Sequence, residues 1–581
     1  MKQVKKLFAI VIAMVMVVAT MSITAFADDP IFPDGVTADT TITITGLEEN
    51  DVVNLYKIIE WKNNSTNTSA GWALLDPFAG DAACEAVLHS INASVDAPYQ
   101  LTQADVKAFT HLVSGATAVA TATVDSSKTF SKTIDNTTVG MYMALVKPAV
   151  AGTLYNPIIV SGDFNDKNTT NSIDSSAILG SENEVRRVVK KETTTVTKEQ
   201  EDLGTASDKY DNSYNVGDTV SFTVKTTIPV FADIYFSQTT PTFTVTDVLT
   251  EGLVLQTDTV KVYEEDGTTE ITALTSEVTD KTATGWKLPV PPAYIQALGA
   301  PQNIVIKYDA VLTEDSFDNV NEEINEVTVE FSNNPNDTSE KGKIKDKTRT
   351  YTFSIDGNIL GESGVYTSEL IKVAVDGNGD PIMQESASGA TYMNALGGAI
   401  FGLFPTKDAA DAYTKNGKEI TDKAAGDAAG MYTNSVFNGV VTSDNDGYLE
   451  INGLEEGTYF LKELCAPDGY VKDTTVHKIV ITATYDEETI TENGYTYTVP
   501  KLADYTITVD DADTSTYDMT LQGSDIWISS IDPSSSLLNN TKGVELPSTG
   551  GIGTTIFYVI GAILVLGAGI LLVTRRRMDL G

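Results

Sequence analysis

Along most of the chain, apolar and polar residues alternate with a period of two. Residues 41–45, 219–226, 243–248, 326–331, 478–484 and 495–499 are Thr- and Val-rich runs of this kind, separated by Gly, Asn and Asp. Strict alternation places successive side chains on opposite faces of a strand, and Gly, Asn and Asp supply the turns between strands. Several short strands in each block of about 150 residues predict a mainly β chain, a tandem of immunoglobulin-like sandwiches. Helical spacing breaks the pattern at 81–91 and 102–113, the second with Thr102 as its N-cap, and again at 407–413. These are short helices set between strands, two of them in the first block.

The two ends follow other rules. Lys2, Lys5 and Lys6 precede an apolar run and then Ala25-Phe26-Ala27, so a secretory signal peptide covers residues 1–27 and is cut between Ala27 and Asp28. Residues 556–573 are apolar and uncharged and are followed by Arg575-Arg576-Arg577, which predicts a membrane-spanning helix with its basic end in the cytoplasm.

Composition then narrows the chemistry. The 581 residues carry a formal charge of −41, with three histidines and two cysteines. Such an acidic surface repels nucleic acid. His89, His111 and His477 are too scattered for a metal cluster, and Cys84 and Cys465 fall in different blocks, so neither a metal, a cofactor nor a disulfide is expected. No G-x-S-x-G, P-loop or H-E-x-x-H motif occurs, and the chain is not expected to be an enzyme. Asp376-Gly377-Asn378-Gly379-Asp380 and Asp444-Asn445-Asp446-Gly447 lack the full spacing of a calcium loop and read as hairpin turns.

Leu546-Pro547-Ser548-Thr549-Gly550 stands immediately before the apolar run. Pentapeptide, apolar span and basic tail together resemble the cell-wall sorting signal of Gram-positive surface proteins. The resemblance implies a sortase, a transpeptidase that cuts between Thr549 and Gly550 and passes Thr549 to an amine by covalent catalysis. Loss of the signal peptide and of the tail removes six basic residues and one acidic residue, taking the charge from −41 to −46. A subunit of that charge repels its own copies, so a polymer of it calls for covalent links.

Two interior stretches carry a second resemblance. Residues 194–198, Asn215-Val216-Gly217-Asp218, 245–249 and 325–335 occur in the order seen in the central domain of backbone pilins assembled by class C sortases. The resemblance implies a spontaneous isopeptide bond between Lys198 and Asn325, promoted by Asp247. Burial lowers the pKa of a lysine and raises that of a carboxyl, which gives a neutral nucleophile beside a protonated acid. Residues 456–470, with Glu463 and Cys465, resemble the E-box of collagen-adhesin B-type (CnaB-type) domains, and 399–404 their second strand. There the resemblance implies Glu463 as acid, Lys372 as nucleophile and Asn540 as acceptor, with Asn539 as the alternative. Alternation puts Leu538 and Asn540 on one face. Cys465 stands where the pattern has threonine, and 361–368 is an insertion.

Residues 140–146 and 154–160 resemble the closing strands of the N-terminal pilin domain, after which the family places the lysine that attacks the thioester on Thr549. The usual Y-P-K sequence is absent, and Val188-Val189-Lys190-Lys191 occupies its place. Lys190 is the expected pilin lysine, with Lys191 as the alternative. The first strand, 41–45, has no lysine, so no bond of the same pattern is expected in that block.

The expected organisation is a signal peptide at 1–27, an N-terminal pilin domain at 28–189, an isopeptide-forming middle domain at 190–357, a CnaB-type domain with the E-box at 358–545 and the sorting signal at 546–581. The expected function is that of the major structural subunit of a surface pilus, or fimbria, attached covalently to peptidoglycan. Its partners would be a class C sortase, a housekeeping sortase, copies of itself and tip or minor pilins, with the membrane involved only for the precursor. The alternative is a wall-anchored, unpolymerised adhesin or minor pilin that binds a host ligand.

Overall fold

The computed structural model describes residues 40–62, 71–93, 99–100, 103–134, 140–161, 173–174, 185–188, 191–201, 212–231, 235, 240–316, 322–334, 341–356, 359–360, 366–367, 369–389, 391–518, 528–531, 537–543 and 552–578. Ala27, Asp28, Thr102, Lys190 and the stretch Leu546 to Gly550 lie outside them.

The described chain is mainly β, as the alternation predicts. In its first part, Val52–Lys62 and Gly140–Lys147 form the centre of one sheet, flanked by Gly71–Leu74, Ile158–Ser161 and Ala120–Thr123. A second sheet sets Thr40–Thr45 between Val185–Val188 and Phe130–Ile134. Ile42, Ile44, Val53, Leu55 and Tyr142 pack in one core and Ile58, Phe78, Phe109 and Met141 in another, beneath helices Ala82–Ala93 and Gln103–Thr110. The two expected helices of this block are both present.

The middle part is a sandwich of two five-stranded sheets. One contains Val196–Gln200, Thr219–Ile228, Gln302–Leu312, Leu253–Leu255 and Lys261–Glu264. The other runs Thr279–Thr282, Gly285–Pro289, Phe243–Leu249, Glu323–Ser332 and Lys341–Thr350. Alternation is visible in the burial itself: Phe243, Val245, Asp247 and Leu249 point inward from one strand. Burying rows of Val, Ile and Phe between the sheets drives their packing, and strands such as Thr219–Ile228 and Phe243–Leu249 present one residue in two to the interior, whereas Thr279–Thr282 is exposed throughout.

In the last part a seven-stranded sheet includes Ile400–Phe404, Gly457–Cys465, Val476–Glu492 and Tyr495–Val509. Ile371–Val375 pairs in parallel with Leu537–Thr541, bringing an early strand beside the last one. Helix Lys407–Ala412 begins at Thr406, whose side chain accepts from the Ala409 N–H, a side-chain cap for an otherwise unpaired donor. Cys84 and Cys465 are both free. Helix Ile552–Met578 contains the stretch Val559–Arg576, of mean hydropathy 1.9 and with no burial against the rest of the chain.

Candidate cross-linking sites

Strand pairing alone brings the middle site together. Asp247 pairs with Val327 and Leu249 with Asn325 on adjacent antiparallel strands, so Asp247 and Asn325 are diagonal neighbours on one inward face. Lys198 comes from the opposite sheet, second inward residue of Val196–Gln200, where Val196 and Lys198 are buried and Thr197 and Glu199 exposed. The side chains of Lys198 and Asp247 are fully buried and form an ion pair. Lys198 Nζ donates to Asn325 Oδ1 at 2.7 Å, which sets the amine against the carboxamide it would attack. A bond between them would tie one sheet of the sandwich to the other.

Phe222, Trp286 and Tyr308 close the site. Tyr308 stacks on Phe222 at 5.4 Å and meets Trp286 edge-on at 5.4 Å, while Lys198 Nζ lies 5.2 Å from the Tyr308 ring centre and 5.5 Å from that of Phe222. In this setting burial pulls the Lys198 pKa down, with the Asp247 carboxylate opposing it. Burial also raises the Asp247 pKa, against the pull of Lys198 and Tyr308. Both shifts favour the uncharged pair, a neutral amine beside a protonated acid.

Lys372, Glu463 and Asn540 meet in the last part of the chain. Lys372 and Glu463 side chains are buried with Nζ 3.4 Å from Oε1, and Asn540 Nδ2 donates to Glu463 Oε2 at 2.8 Å and to the Val471 carbonyl at 2.9 Å. Lys372 Nζ donates to the Asn539 carbonyl at 3.2 Å and lies 5.2 Å from the Phe401 ring centre. The Asn539 side chain itself is exposed, whereas Asn540 is 1% exposed. Among the described residues the buried Asn540 Oδ1 has no hydrogen-bond partner, and Glu463 Oε1 has only the ion pair with Lys372. Burial is the main force lowering the Lys372 pKa, with Glu463 opposing it.

Lys191 stands apart from both groups. It opens the short strand Lys191–Thr193, which pairs with Thr153–Tyr155, and its ammonium lies 2.5 Å from Glu48 Oε1. Lys128 holds the other Glu48 oxygen at 2.7 Å. Bonds from Lys128 first, then Lys191, pull the Glu48 carboxyl down to about 2.

Tyr308, at the centre of the middle site, is absent from the candidates read from sequence. Its inward spacing after Ile304 and Ile306 marks an ordinary core position, and only the assembled sheets show its hydroxyl among the three polar groups.

Comparison with known proteins bears on the last part of the chain and on the fold as a whole. A family model described as a prealbumin-like fold domain matches residues 389–495, and one described as an LPXTG cell wall anchor motif matches 539–579. The trypsin-resistant surface T6 protein of Streptococcus pyogenes serotype M6 is 26% identical over 488 residues, 75% of this chain and 79% of that protein. The T6 backbone pilin structure of serotype M6 S. pyogenes superposes with a TM-score of 0.51 at 18% identity, covering 87% of this chain and 98% of that one. This chain is a wall-anchored surface protein with the fold of a backbone pilin. The full-length major pilin SpaD of Corynebacterium diphtheriae aligns with a TM-score of 0.43 at 18% identity, over 75% of this chain and 89% of that one. Within this chain, Phe401 and Glu463 fall inside the prealbumin-like match, and Asn540 lies at the start of the anchor match.

Proposed function

We propose that this pilin is the major subunit of a covalently polymerised pilus, stiffened within each subunit by Lys198–Asn325 and Lys372–Asn540 isopeptide bonds. The observation that carries the internal chemistry is a fully buried lysine amine 2.7 Å from an asparagine carboxamide and paired with a buried acid. Neutral Lys198 attacks the Asn325 carboxamide carbon, Asp247 moves protons, and ammonia leaves. Glu463 plays the same part for Lys372 and Asn540. The domain division that goes with this reading is 28–189, 190–357 and 358–545, followed by the sorting signal.

Polymerisation uses the ends of the subunit. A class C sortase cuts between Thr549 and Gly550 and joins Thr549 to Lys190 of the next subunit, or to Lys191, and a housekeeping sortase attaches the finished fibre to peptidoglycan. Lys191, exposed beside Glu48, has an amine reachable from solvent.

Detergent-boiled wall extracts probed with antibody test this. The expected result is a high-mass ladder that collapses to a single band when Lys190 and Lys191 are both replaced by arginine. A single band from the unaltered protein sinks polymerisation and leaves the unpolymerised adhesin.

A further inference from the structure

The two buried groups share an amine, an acid and a carboxamide, but they are wired differently. In the last part of the chain Glu463 Oε2 contacts the Asn540 amide nitrogen directly at 2.8 Å. In the middle part the acid is an aspartate, one methylene shorter. Its Oδ2 faces Lys198 Nζ and its Oδ1 is met by the Tyr308 hydroxyl at 2.8 Å. The Asn325 amide nitrogen donates instead to that same hydroxyl at 3.0 Å, and Lys198 Nζ lies 2.5 Å from it. The route from the acid to the nitrogen that must leave therefore passes through Tyr308.

We propose that Tyr308 is a catalytic residue of the cross-linking reaction, handing a proton from Asp247 to the departing nitrogen of Asn325. This rests on the reading of Lys198 and Asn325 as a bonded pair. With Lys198 neutral and Asp247 protonated on Oδ1, the Nζ lone pair attacks the Asn325 carboxamide carbon. As the new C–N bond forms, one Nζ proton passes to Asp247 Oδ2. The Oδ1 proton passes to the Tyr308 oxygen, and the Tyr308 proton passes to Asn325 Nδ2. The old C–N bond breaks and ammonia departs. Lys198 has lost one proton and the leaving nitrogen has gained one, while Tyr308 finishes as it began and Asp247 is still protonated, now on Oδ2. Burial and the neighbouring Asp247 raise the Tyr308 pKa well above the usual phenol value, so the hydroxyl keeps a proton to give. Packing against Phe222 and Trp286 fixes the ring and hence the direction of the hydroxyl.

The experiment follows bond formation in the full chain made by cell-free synthesis, with samples quenched in acid denaturant, digested and weighed for the Lys198–Asn325 cross-linked peptide. In the unaltered chain the peptide appears, and Asp247→Ala abolishes it. Tyr308→Phe, which keeps the ring and removes only the hydroxyl, slows its appearance by about 100-fold, in the range of a lost general acid–base group. Tyr235→Phe removes a buried hydroxyl of the same core that faces the Tyr155 and Asn333 carbonyls instead of the site, and it stays within about three-fold of the unaltered rate because it has no part in the proton transfer. Circular dichroism of the unbonded Tyr308→Phe chain shows a folded sandwich. An unaltered rate in Tyr308→Phe, or equal slowing in Tyr235→Phe, overturns the role of Tyr308 while leaving the bonded pair intact. Absence of the peptide from the unaltered chain overturns the pair itself.

Discussion

At the scale of single residues, the two buried lysines are costly groups to fold around. A buried ammonium is tolerated only when paired or neutral, and each lysine here faces one acid and one asparagine in an aromatic-lined site. Conversion to an amide removes the charge altogether, so the same burial that depresses the amine's pKa also favours the product. The bonds are separable by mutation. Against the mass calculated from its own sequence, the unaltered protein is expected to fall short by two ammonias, about 34 Da, and Asn325→Ala and Asn540→Ala each by only one, about 17 Da, the leaving group of a single bond. Asn539→Ala, whose side chain is exposed, leaves the mass loss intact. Closing the 127-residue separation between Lys198 and Asn325 constrains the unfolded chain as a disulfide would, for about 5 kcal/mol. Thermal unfolding of Asn325→Ala at a temperature unchanged from the parent would contradict this.

At the scale of strands, Lys341–Thr350 and Val196–Gln200 lie on different sheets, and Asp346 joins them. Its Oδ2 accepts from the Lys198 N–H at 2.7 Å and its Oδ1 from the Lys347 N–H at 2.8 Å. Burial dominates over these bonds and over the Lys198 charge, raising the carboxyl from 3.8 to about 6. A raised acid binds its proton more tightly in the folded state than in the unfolded one. The folded form is therefore favoured below pH 3.8, and that advantage is lost as pH rises from 3.8 to about 6. Two pKa units correspond to about 3 kcal/mol. Asp346→Asn is expected to flatten stability between pH 4 and 6, measured by denaturant titration at each pH, and an identical pH profile in the variant would refute the assignment.

Strand positions were legible because one-sided burial writes itself into alternation. Residues 243–248 and 219–226 extend by only one or two positions, to Phe243–Leu249 and Thr219–Ile228. The long hairpin was legible only in part: 478–484 and 495–499 grow into Val476–Glu492 and Tyr495–Val509. Its outer reach carries Asp486-Glu487-Glu488, an acidic run that looks like a solvated loop. Pairing with a partner strand, which sequence pattern does not display, keeps that segment extended. Tyr308 was hidden for the opposite reason. A tyrosine in an apolar alternation satisfies every requirement of a core residue, and its hydroxyl gains meaning only from groups more than a dozen residues away on other strands.

At the scale of the whole molecule, the hairpin straps the parts together. Its turn is Asn493-Gly494, both at positive φ, as a tight two-residue hairpin turn requires. A Cβ on Gly494 would stand 2.4 Å from the Ala149 carbonyl of the first part. Next to it, the Tyr495 hydroxyl donates to the Val196 carbonyl at 2.8 Å and accepts from the Val196 N–H at 3.2 Å. Arg349, with its side chain 3% exposed, is held between Glu322 and Glu488 of the hairpin. The first strand of the middle sandwich is thus gripped close to Lys198.

That placement decides the path of a pulling force. Tension applied near residue 191 reaches Lys198 within seven residues and would cross the bond to Asn325, bypassing 199–324. It then enters the last part and would cross from Lys372 to Asn540, bypassing 373–539. With both bonds formed, strands inside the loops would carry no load, and noncovalent pairing would be loaded only in residues 326–371, which include Lys341–Thr350. Single-molecule stretching between residue 191 and residue 543 measures this directly. The unaltered subunit is expected to yield only the segments outside the two loops, of which 326–371 is the longest. Asn325→Ala adds the 127-residue separation, which at full extension of about 3.5 Å per residue lengthens the unfolded chain by about 450 Å. Asn540→Ala adds a second and longer step from the last part, and the double variant shows both. An unaltered subunit that already releases these lengths at the forces that unfold ordinary sandwiches would show that load passes through the strands and not through the bonds.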